Sequence, residues 1–372
     1  MTAAPRRVTL REVAAELEVS AKTVSNAYTR PDQLSDRLRT QILATAARLG
    51  YPGPDPLAAG LRRGRVGAIG LAYANRLSYA FEDPVAVALL AGVTSVAEPA
   101  GTGLLLVPGS ATPERSAAAV NGAVIDGLIA CSLADDDPLL AAALARRLPL
   151  VVIDQPDPAH LEELGGGQGA WVGIDDRAAA RAAAEHLLAF GHRRLAVVSF
   201  ALRRSPIRGL VDERAQQSAT YAVTRRRLAG YRAAAIKGGL DWAQVPVAQG
   251  ISSTIAEGEA GAAAVLATTP RPTALLCLSD RLAEGALLTA HRLGLRVPDD
   301  LSVIGFDDAT PAARLDLTTI RQPSRRKGEL AARALLQLLN RHVDNPAQPL
   351  PTELITRAST GPAPAQNPEL PR

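Results

Sequence analysis

Short apolar runs alternate with alanine-rich segments along most of this 372-residue chain. Eight such runs lie between residues 66 and 308, and they read VGAIGLAY, GLLLVP, DGLIAC, PLVVID, WVGID, RLAVVSF, TALLCLSD and LSVIGFDD. Buried strands that alternate with helical segments read in this way, so the pattern predicts parallel sheets with helices on both faces. We expect two sheets, because so many strands follow one another.

The composition fits a folded protein with an aliphatic core, since 47% of the residues are hydrophobic but only 3% are aromatic. Cys131 and Cys277 lie within two apolar runs, which predicts buried thiols in a reducing compartment rather than a disulfide. The N-terminal sequence MTAAPRRVTL is not followed by the apolar segment of a signal peptide. We therefore expect a cytoplasmic protein with no membrane-spanning segment.

The first 51 residues show the pattern of short helices. Thr9 and Glu12 have the spacing of a capping box, which starts one helix. The sequence EVS then interrupts that helix, and its serine, Ser20, is placed to cap a second one, while a third begins at Ser35. Both an ordinary helical hairpin that only packs and a helix-turn-helix that reads DNA have this pattern.

Positive charge is concentrated at the same end of the chain. Residues 1–65 hold 11 Lys or Arg against 6 Asp or Glu, a net charge of +5, whereas the whole chain carries +4. A basic module on a nearly neutral body is expected where one end of a protein binds a polyanion.

The N-terminal sequence contains VS..TVS across the second helix, LGY after the third and a later A..L motif. Through these motifs it resembles the DNA-binding domain of the lactose-repressor (LacI/GalR) family. The resemblance implies that Ala21, Lys22 and Asn26 contact base edges and that Thr23 and Ser25 contact phosphates. Asn26 stands where the family usually has arginine. The other DNA-contacting positions that the resemblance implies in the head are Thr9, Ser20 and Tyr28.

Residues 52–65, PGPDPLAAGLRRGR, join this head to the rest of the chain. Their proline and glycine content fits a plain flexible linker. The resemblance implies instead a hinge helix that folds on DNA, where a leucine enters the minor groove and kinks the duplex. Leu61 matches that leucine and Ala58 the alanine before it.

The remainder resembles the effector-binding core of the same family, through GHRRLAVVSF, RRLAGYRAA, GLRVPDDLSVIGFDD and LTTIRQP. The implied architecture is an all-α helix-turn-helix head followed by an α/β periplasmic-binding-protein-like core of two doubly wound parallel-sheet lobes. The boundaries that we expect are 1–51 for the head, 52–65 for the hinge, 66–174 with 321–344 for the first lobe, 175–320 with 345–358 for the second lobe, and 359–372 for a disordered tail.

Ligands of open α/β sheets bind beyond the carboxyl ends of the strands. Asp154, Ser279 and Asp307 end such apolar runs, and Arg227 starts the helix reading RLAGY. All four match effector-contacting positions of the family. Each alone fits a helix cap or a turn equally well, and Asp280 and Asp308 are expected to cap. Tyr73, Tyr79 and Phe81 fit either the cleft or the core. The long, charged segment 201–224 is expected at the rim of the cleft.

These features together predict a ligand-responsive transcriptional regulator. We expect a repressor that binds a palindromic DNA operator as a homodimer, with a sugar or related small polar metabolite as effector. The alternatives are a solute-binding protein of a sugar transporter and a sugar-metabolising enzyme. The sequence contains neither a recognised nucleophile motif nor histidines at metal-ligand spacing, so no catalytic residue, cofactor or metal is expected.

Overall fold

The computed structural model of the chain describes residues 8–54, 64–74, 77–110, 112–164, 169–340 and 348–365. The chain divides into two compact units, Met1–Gly67 and Ala68–Arg372. Within the described residues, no helix is both long enough and apolar enough to cross a bilayer.

The first unit is a helical head. Its helices are α1 (Leu10–Glu16), α2 (Ala21–Thr29) and α3 (Asp36–Leu49), with a 3-10 turn at Pro31–Gln33. The predicted capping box is confirmed, because Thr9 N–H donates to the Glu12 carboxylate at 2.7 Å and the Thr9 hydroxyl accepts from Glu12 N–H. The small buried core of the head consists of Val13, Ala14, Val24, Ala27, Ile42 and Ala46.

The second unit begins with a five-stranded parallel sheet of order β2-β1-β3-β4-β5. Its strands are β1 (Ala68–Tyr73), β2 (Gly103–Pro108), β3 (Gly127–Cys131), β4 (Leu150–Ile153) and β5 (Ala170–Val172). The helices between and after these strands are α4 (Leu77–Glu82), α5 (Pro84–Ala97), α6 (Pro113–Gly122), α7 (Pro138–Ala145) and α8 (Pro158–Glu163).

A second five-stranded sheet has the order β10-β9-β6-β8-β7, with only β7 antiparallel to its neighbour. Its strands are β6 (Leu195–Ser199), β7 (Gly209–Leu210), β8 (Val247–Gln249), β9 (Ala274–Cys277) and β10 (Ser302–Ile304). The helices of this part of the chain are α9 (Asp176–Ala189), α10 (Glu213–Gln217), α11 (Ala222–Lys237), α12 (Ile255–Leu266), α13 (Asp280–Arg292) and α14 (Thr310–Arg314), with a 3-10 turn at Trp242–Gln244.

The chain then returns to the first sheet. Strand β11 (Thr319–Arg321) pairs antiparallel with β12 (Glu353–Ile355), and α15 (Ser324–Leu339) packs against α5 and against strands β3 to β5. We call the first sheet with its helices and α15 the first lobe, and the second sheet with its helices and α9 the second lobe. The predicted fold class, a helix-turn-helix head and a core of two doubly wound sheets, is confirmed.

Glycines allow α5 and α15 to approach closely. A Cβ atom on Gly92 would lie 2.0 Å from the carbonyl oxygen of Arg325, and one on Gly328 would lie 2.1 Å from that of Leu89. No side chain fits at either position, so the backbones of the two helices are in direct contact. This contact fixes the first turn of α15 beneath the carboxyl ends of the first sheet.

The prediction of a disordered tail from residue 359 is wrong for residues 359–365. The Ser359 hydroxyl donates to the Val303 carbonyl oxygen at 2.6 Å, and the Gly361 carbonyl oxygen lies 3.1 Å from Nε2 of the buried His192. Ser359 and Gly361 are ordered because they supply hydrogen-bond partners to buried groups of the second lobe. The rest of the predicted tail, residues 366–372, lies outside the described residues.

Both cysteines are buried as free thiols, Cys131 at the end of β3 and Cys277 at the end of β9. Burial raises the pKa of each thiol well above its usual value. Neither thiol is therefore a reactive thiolate at neutral pH.

Candidate functional sites

A cavity of about 160 Å³ lies between the two lobes at the carboxyl ends of their strands. From the first lobe it is lined by Tyr73 at the end of β1 and by Ser132 and Asp154, which follow β3 and β4. From the second lobe, residues that follow β6, β9 and β10 line it, namely Phe200, Ser279 and Asp307. Strands β1 and β3 are neighbours although β2 separates them in sequence, and ligands of open α/β sheets bind at such a switch point.

Six of the seven predicted effector residues line this cavity together: Tyr73, Tyr79, Asp154, Arg227, Ser279 and Asp307. The prediction for Phe81 is wrong, because its side chain is 58% exposed and does not line the cavity. On α4 the buried residue is Ala80, and the next position along a helix points about 100° away, which turns Phe81 toward solvent. Ligand contact by the other six stays a prediction.

Three residues at strand ends around the cavity have left-handed backbone conformations that favour glycine. The φ angles are +56° at Ser132, +65° at Asp154 and +121° at Asp307. Such conformations cost about 1–3 kcal/mol each and persist where the surrounding structure enforces them, which is common at ligand sites. Here they turn polar side chains toward the cavity where each strand ends.

Arg227 lines the cavity but is held by protein partners. Its Nε donates to Asp176 Oδ1 at 2.8 Å, and its Nη1 donates to the Leu278 carbonyl oxygen at 2.6 Å. The guanidinium carbon lies 3.5 Å from the ring centroid of Phe306, and Nη1 lies 3.9 Å from Asp307 Oδ1. Burial raises the pKa of Asp176, and the Arg227 charge opposes that rise. Arg227 is thus a cation of the cavity wall that protein partners hold in place.

A network of buried groups connects Asp154 and Asp307, two of the acidic residues that line the cavity. Lys327 Nζ donates to Asp154 Oδ1 at 2.6 Å and also to Gln322 Oε1, and Gln322 Nε2 donates to Asp307 Oδ1. Burial raises the pKa of Asp307 well above the usual value, while Arg227 opposes this rise. The network runs from the first lobe to the second through Gln322, where the chain crosses between them.

The lobes also touch on the side of α4. The Tyr79 hydroxyl of the first lobe donates to the Ser253 carbonyl oxygen of the second lobe at 3.0 Å. Ser253 Oγ lies 2.7 Å from Ser279 Oγ, and the Ser279 hydroxyl accepts from Leu282 N–H at the start of α13. Ser279 therefore caps a helix and also faces the cavity, so the two roles are not exclusive.

Four ion pairs from three arginines join the lobes on the opposite side, and we call this cluster the arginine latch. Arg225 contacts both Asp135 and Asp157 at 2.9 Å, and Arg226 contacts Asp157. Arg204 lies 3.7 Å from Asp137. In each pair the second lobe contributes the arginine and the first lobe contributes the aspartate. All of these side chains are partly or fully buried, so the contacts are only partly screened by solvent.

The segment 201–224 was expected at the rim of the cleft. Within it, Ala201, Tyr221 and Val223 line the cavity, and Arg204 belongs to the arginine latch. Asp280 and Asp308 do not line the cavity. Asp280 accepts from Ala309 N–H at 2.7 Å just before α14, and Asp308 pairs with Arg321 and Arg357.

Several cavity residues were not predicted from the sequence. Asp83 lines the cavity and caps α5, where it accepts from Val85 N–H at 3.0 Å. Its position directly before Pro84, at the start of a helix, was a usable signal. Phe200 and Tyr221 add aromatic surface from the second lobe, and Phe200 directly follows an apolar run as the predicted residues do.

In the head, the first turn of α2 is exposed at Ala21 and Lys22. Ser20 caps this helix, since its hydroxyl accepts from Thr23 N–H at 3.0 Å. On the following turn the side chains of Ser25 and Asn26 are half-buried, while the two positions that flank them, Val24 and Ala27, are buried in the core of the head.

Two of the predicted DNA-contacting residues, Asn26 and Tyr28, contact other side chains of the head. The Asn26 side-chain amide donates to Gln33 Oε1 at 3.2 Å, and the Tyr28 ring meets the edge of Tyr51 at a centroid distance of 6.0 Å. The predicted hinge residues Ala58 and Leu61 lie outside the described residues. Within the described ranges, no cluster of His, Cys, Asp and Glu has the arrangement of a metal site.

Comparisons with known proteins cover both units. A family model described as a periplasmic binding protein-like domain matches residues 184–360. The HTH-type transcriptional regulator Rv3575c of Mycobacterium tuberculosis is 43% identical over 96% of this chain and 98% of its own length. The HTH-type transcriptional regulator IpsA of Corynebacterium glutamicum is 38% identical over 95% of this chain and 98% of its own length.

Solved structures agree with these sequence matches. A LacI family transcriptional regulator from Corynebacterium glutamicum shares 34% identity with a TM-score of 0.74, over 96% of this chain and all of that one. The lac repressor dimer bound to operator and an anti-inducer shares 26% identity with a TM-score of 0.75, over the same shares of the two chains. The chain therefore belongs to the LacI family of HTH-type transcriptional regulators.

Proposed function

We propose that this regulator binds an operator as a homodimer, and that a neutral sugar or related polar metabolite in the cavity changes its affinity for DNA. The observation that carries the proposal is the cavity between the carboxyl ends of two sheets, in a chain that also has a helix-turn-helix head. A ligand that prefers one arrangement of the lobes shifts the population of that arrangement, and operator affinity changes by the reciprocal coupling. Repression is the proposed sign of regulation.

The charges around the cavity favour a neutral ligand rich in hydroxyl groups. Among the described residues that line it are three carboxylates, Asp83, Asp154 and Asp307, and a single guanidinium, Arg227. A carboxyl group hydrogen-bonds to hydroxyl groups in either protonation state, whereas an ionised carboxylate repels phosphates and acid groups. The volume of about 160 Å³ holds roughly ten water-sized groups, which suits a small sugar. The structure of CelR in this family is a cellobiose complex.

We propose that α2 reads the operator in the major groove. In a helix-turn-helix the N-terminal residues of the second helix contact base edges. Ala21 and Lys22 occupy this position and are exposed, and Thr23, Ser25 and Asn26 lie on the same and the next turn. Lysine donates to guanine, asparagine pairs with adenine, and hydroxyls bind phosphates.

Replacing Lys22 with alanine is expected to weaken operator binding by roughly 5- to 150-fold and to relax the preference at one base pair of each half-site. The reason is that an exposed ammonium at the first turn of α2 is placed to donate to a base edge. Fluorescence anisotropy with a set of singly substituted operators measures both the affinity and the base preference. Uniform weakening on every sequence would instead make Lys22 a phosphate contact.

A homodimer is supported by exposed apolar side chains on neighbouring elements of the first lobe. Val87 on α5 is 43% exposed and Leu105 on the edge strand β2 is 40% exposed. Two such surfaces bury each other in a symmetric dimer. The lac repressor in the solved operator complex is a dimer. Light scattering on the purified chain measures the mass directly.

Removing two of the three arginines of the arginine latch is expected to open the lobes. In a variant with Arg225→Ala and Arg226→Ala, Asp135 and Asp157 lose their ion pairs with these arginines. Among the described residues, no other cation pairs with either aspartate. We expect small-angle scattering to show a larger radius of gyration, and a sugar that binds wild type to dissociate roughly 3- to 30-fold faster. The control, Arg292→Ala, removes an exposed ion pair with Glu259 inside the second lobe and should leave both quantities unchanged.

The proposed function is tested with an operator recovered by selection from a pool of random DNA sequences. Anisotropy of that operator is measured with and without each member of a panel of neutral sugars and their phosphorylated forms. We expect a neutral sugar to change operator affinity by at least about fivefold and phosphorylated sugars to have no effect. A response only to phosphorylated sugars would contradict the proposed ligand class, and no selected operator would contradict sequence-specific binding.

A further inference from the structure

Lys327 is an unusual residue for the position that it occupies. It lies in the first turn of α15, and its side chain is only 1% exposed. Its hydrogen-bond partners are the Asp154 carboxylate of the first lobe and the Gln322 side chain between the lobes. A buried lysine is rare, because its charge must be offset by acceptors in fixed positions.

Lys327 determines the orientation of Gln322. An ammonium group only donates hydrogen bonds, so it must face the carbonyl oxygen of the Gln322 side chain. The amide nitrogen of Gln322 then faces the Asp307 carboxylate and donates to it. The flipped amide would place its N–H groups against the ammonium and its oxygen against a carboxylate, and both contacts would be repulsive.

Through these bonds Lys327 holds one oxygen of each of the two acidic residues that face each other across the lobes. Oδ1 of Asp154 accepts from Lys327, and Oδ1 of Asp307 accepts from Gln322. No described residue donates to the remaining oxygen of either carboxylate, and both residues line the cavity. Each therefore has an acceptor atom available for a ligand hydroxyl.

We infer that Lys327 is a positioning residue of the effector site, which fixes Asp154 directly and Asp307 through Gln322 so that both present an acceptor to one ligand. Lys327 does not line the cavity itself, so it acts only through these residues. The inference rests on the proposed function, because it assigns the two carboxylates to effector binding. It adds that one ammonium group positions a hydrogen-bond acceptor on each of the two lobes.

A purely structural role makes a different prediction. If Lys327 only offset the buried charge of Asp154, its loss would lower stability without any specific link to Gln322 or to ligand affinity. If it positions Asp307 through Gln322, its effect on affinity must depend on whether Gln322 is present. A double-mutant cycle distinguishes these two roles.

The test uses the full chain with Lys327→Met, which keeps the length of the side chain but removes the ammonium, and Gln322→Leu, alone and combined. Lys237→Met is the matched control, because Lys237 pairs with Glu185 at 3.2 Å on the surface of the second lobe and is 77% exposed. D-glucose and cellobiose are titrated by calorimetry. Thermal unfolding is followed for every variant.

We expect Lys327→Met and Gln322→Leu each to lower the affinity for a sugar that binds wild type by at least about tenfold, as for a lost buried hydrogen bond to a charged group. The double variant should lose clearly less than the product of the two single losses. The control should retain wild-type affinity. Lys327→Gln, which keeps a donor without the charge, should recover part of the affinity and serves as the test if Lys327→Met does not fold.

A second measurement does not need a sugar. The Trp171 indole donates to the Asp154 carbonyl oxygen at 3.2 Å, and Trp242→Phe leaves Trp171 as the single tryptophan. In that background Lys327→Met should shift the Trp171 emission, Lys327→Gln should restore part of it, and Lys237→Met should have no effect. Unchanged emission together with full sugar affinity, or independent losses in the cycle, would overturn the inference. If neither sugar binds wild type, the emission results alone decide the role of Lys327, and only the proposed ligand class fails.

Discussion

Replacing Arg227 with alanine is expected to lower the free energy of unfolding of the core by about 3–5 kcal/mol, because it leaves the buried carboxylate of Asp176 without its cation. In a domain of this size that corresponds to a fall in melting temperature of roughly 10 °C. Thermal and denaturant unfolding of the full chain measure it. The control is Arg181→Ala on α9, whose 3.8 Å ion pair with Glu185 is exposed and should change stability by no more than about 0.5 kcal/mol.

The pH dependence of this loss checks its cause. Burial raises the pKa of Asp176 above its value in the unfolded chain, so its protonated form favours the folded state. Stability linked to such a group is present at low pH and is lost as pH rises through the folded-state pKa. Without Arg227 the loss should therefore be smaller at pH 5 than at pH 8. Adding Asp176→Asn to the variant should recover part of the stability at pH 8, and no recovery would rule out the unpaired charge as the cause.

Sequence reasoning assigned Arg227 to the ligand because of its motif and its place near the start of a helix. The structure shows its Nε and Nη1 bonded to protein groups and its guanidinium stacked on Phe306, and partners this distant in sequence leave no local signal. Both a lost ligand contact and a lower stability would thus reduce effector binding in Arg227→Ala. The change in stability must be measured before a change in affinity is attributed to ligand contact.

The fold was largely predictable because most of its strands are buried on both faces. All eight apolar runs form strands, from Ala68–Tyr73 to Ser302–Ile304. The strands that the eight runs do not include have two or three residues each: Gly209–Leu210, which is an edge strand, Val247–Gln249, Thr319–Arg321 and Glu353–Ile355. Such segments bury too little apolar surface to produce a pattern that sequence reasoning can detect.

The residues themselves predicted the site most directly where a side chain follows a buried strand. Asp154 and Asp307 satisfy that rule, and both line the cavity. Lys327 does not, since RRKGEL reads as a solvated helix start. Its spacing from Ala331 and Leu335 does place it on the buried face of α15, and a lysine in an apolar stripe was the available signal. Its partner Asp154 lies 173 residues away, which no local pattern reveals.

Deleting residues 1–67 is expected to abolish operator binding, a loss of roughly a thousandfold or more, while the core stays folded. The division between Gly67 and Ala68 leaves both sheets and all of their helices intact, so the melting temperature of the core and its sugar affinity should match those of the full chain. Anisotropy against the selected operator and thermal unfolding measure the two halves of this prediction. A core that still binds the operator would contradict the assignment of DNA reading to α2.

Salt dependence separates loss of the head from general damage. The deleted segment carries a net charge of +5, whereas the rest of the chain is nearly neutral. If the head neutralises several phosphates, the logarithm of the full-chain affinity must fall linearly and steeply with the logarithm of salt concentration, because each neutralised phosphate releases a counterion. The residual binding of the truncated core should show almost no slope. A flat response of the full chain would mean that the head does not neutralise phosphates. It would contradict the proposal that the arginines and the lysine of the head bind the DNA backbone.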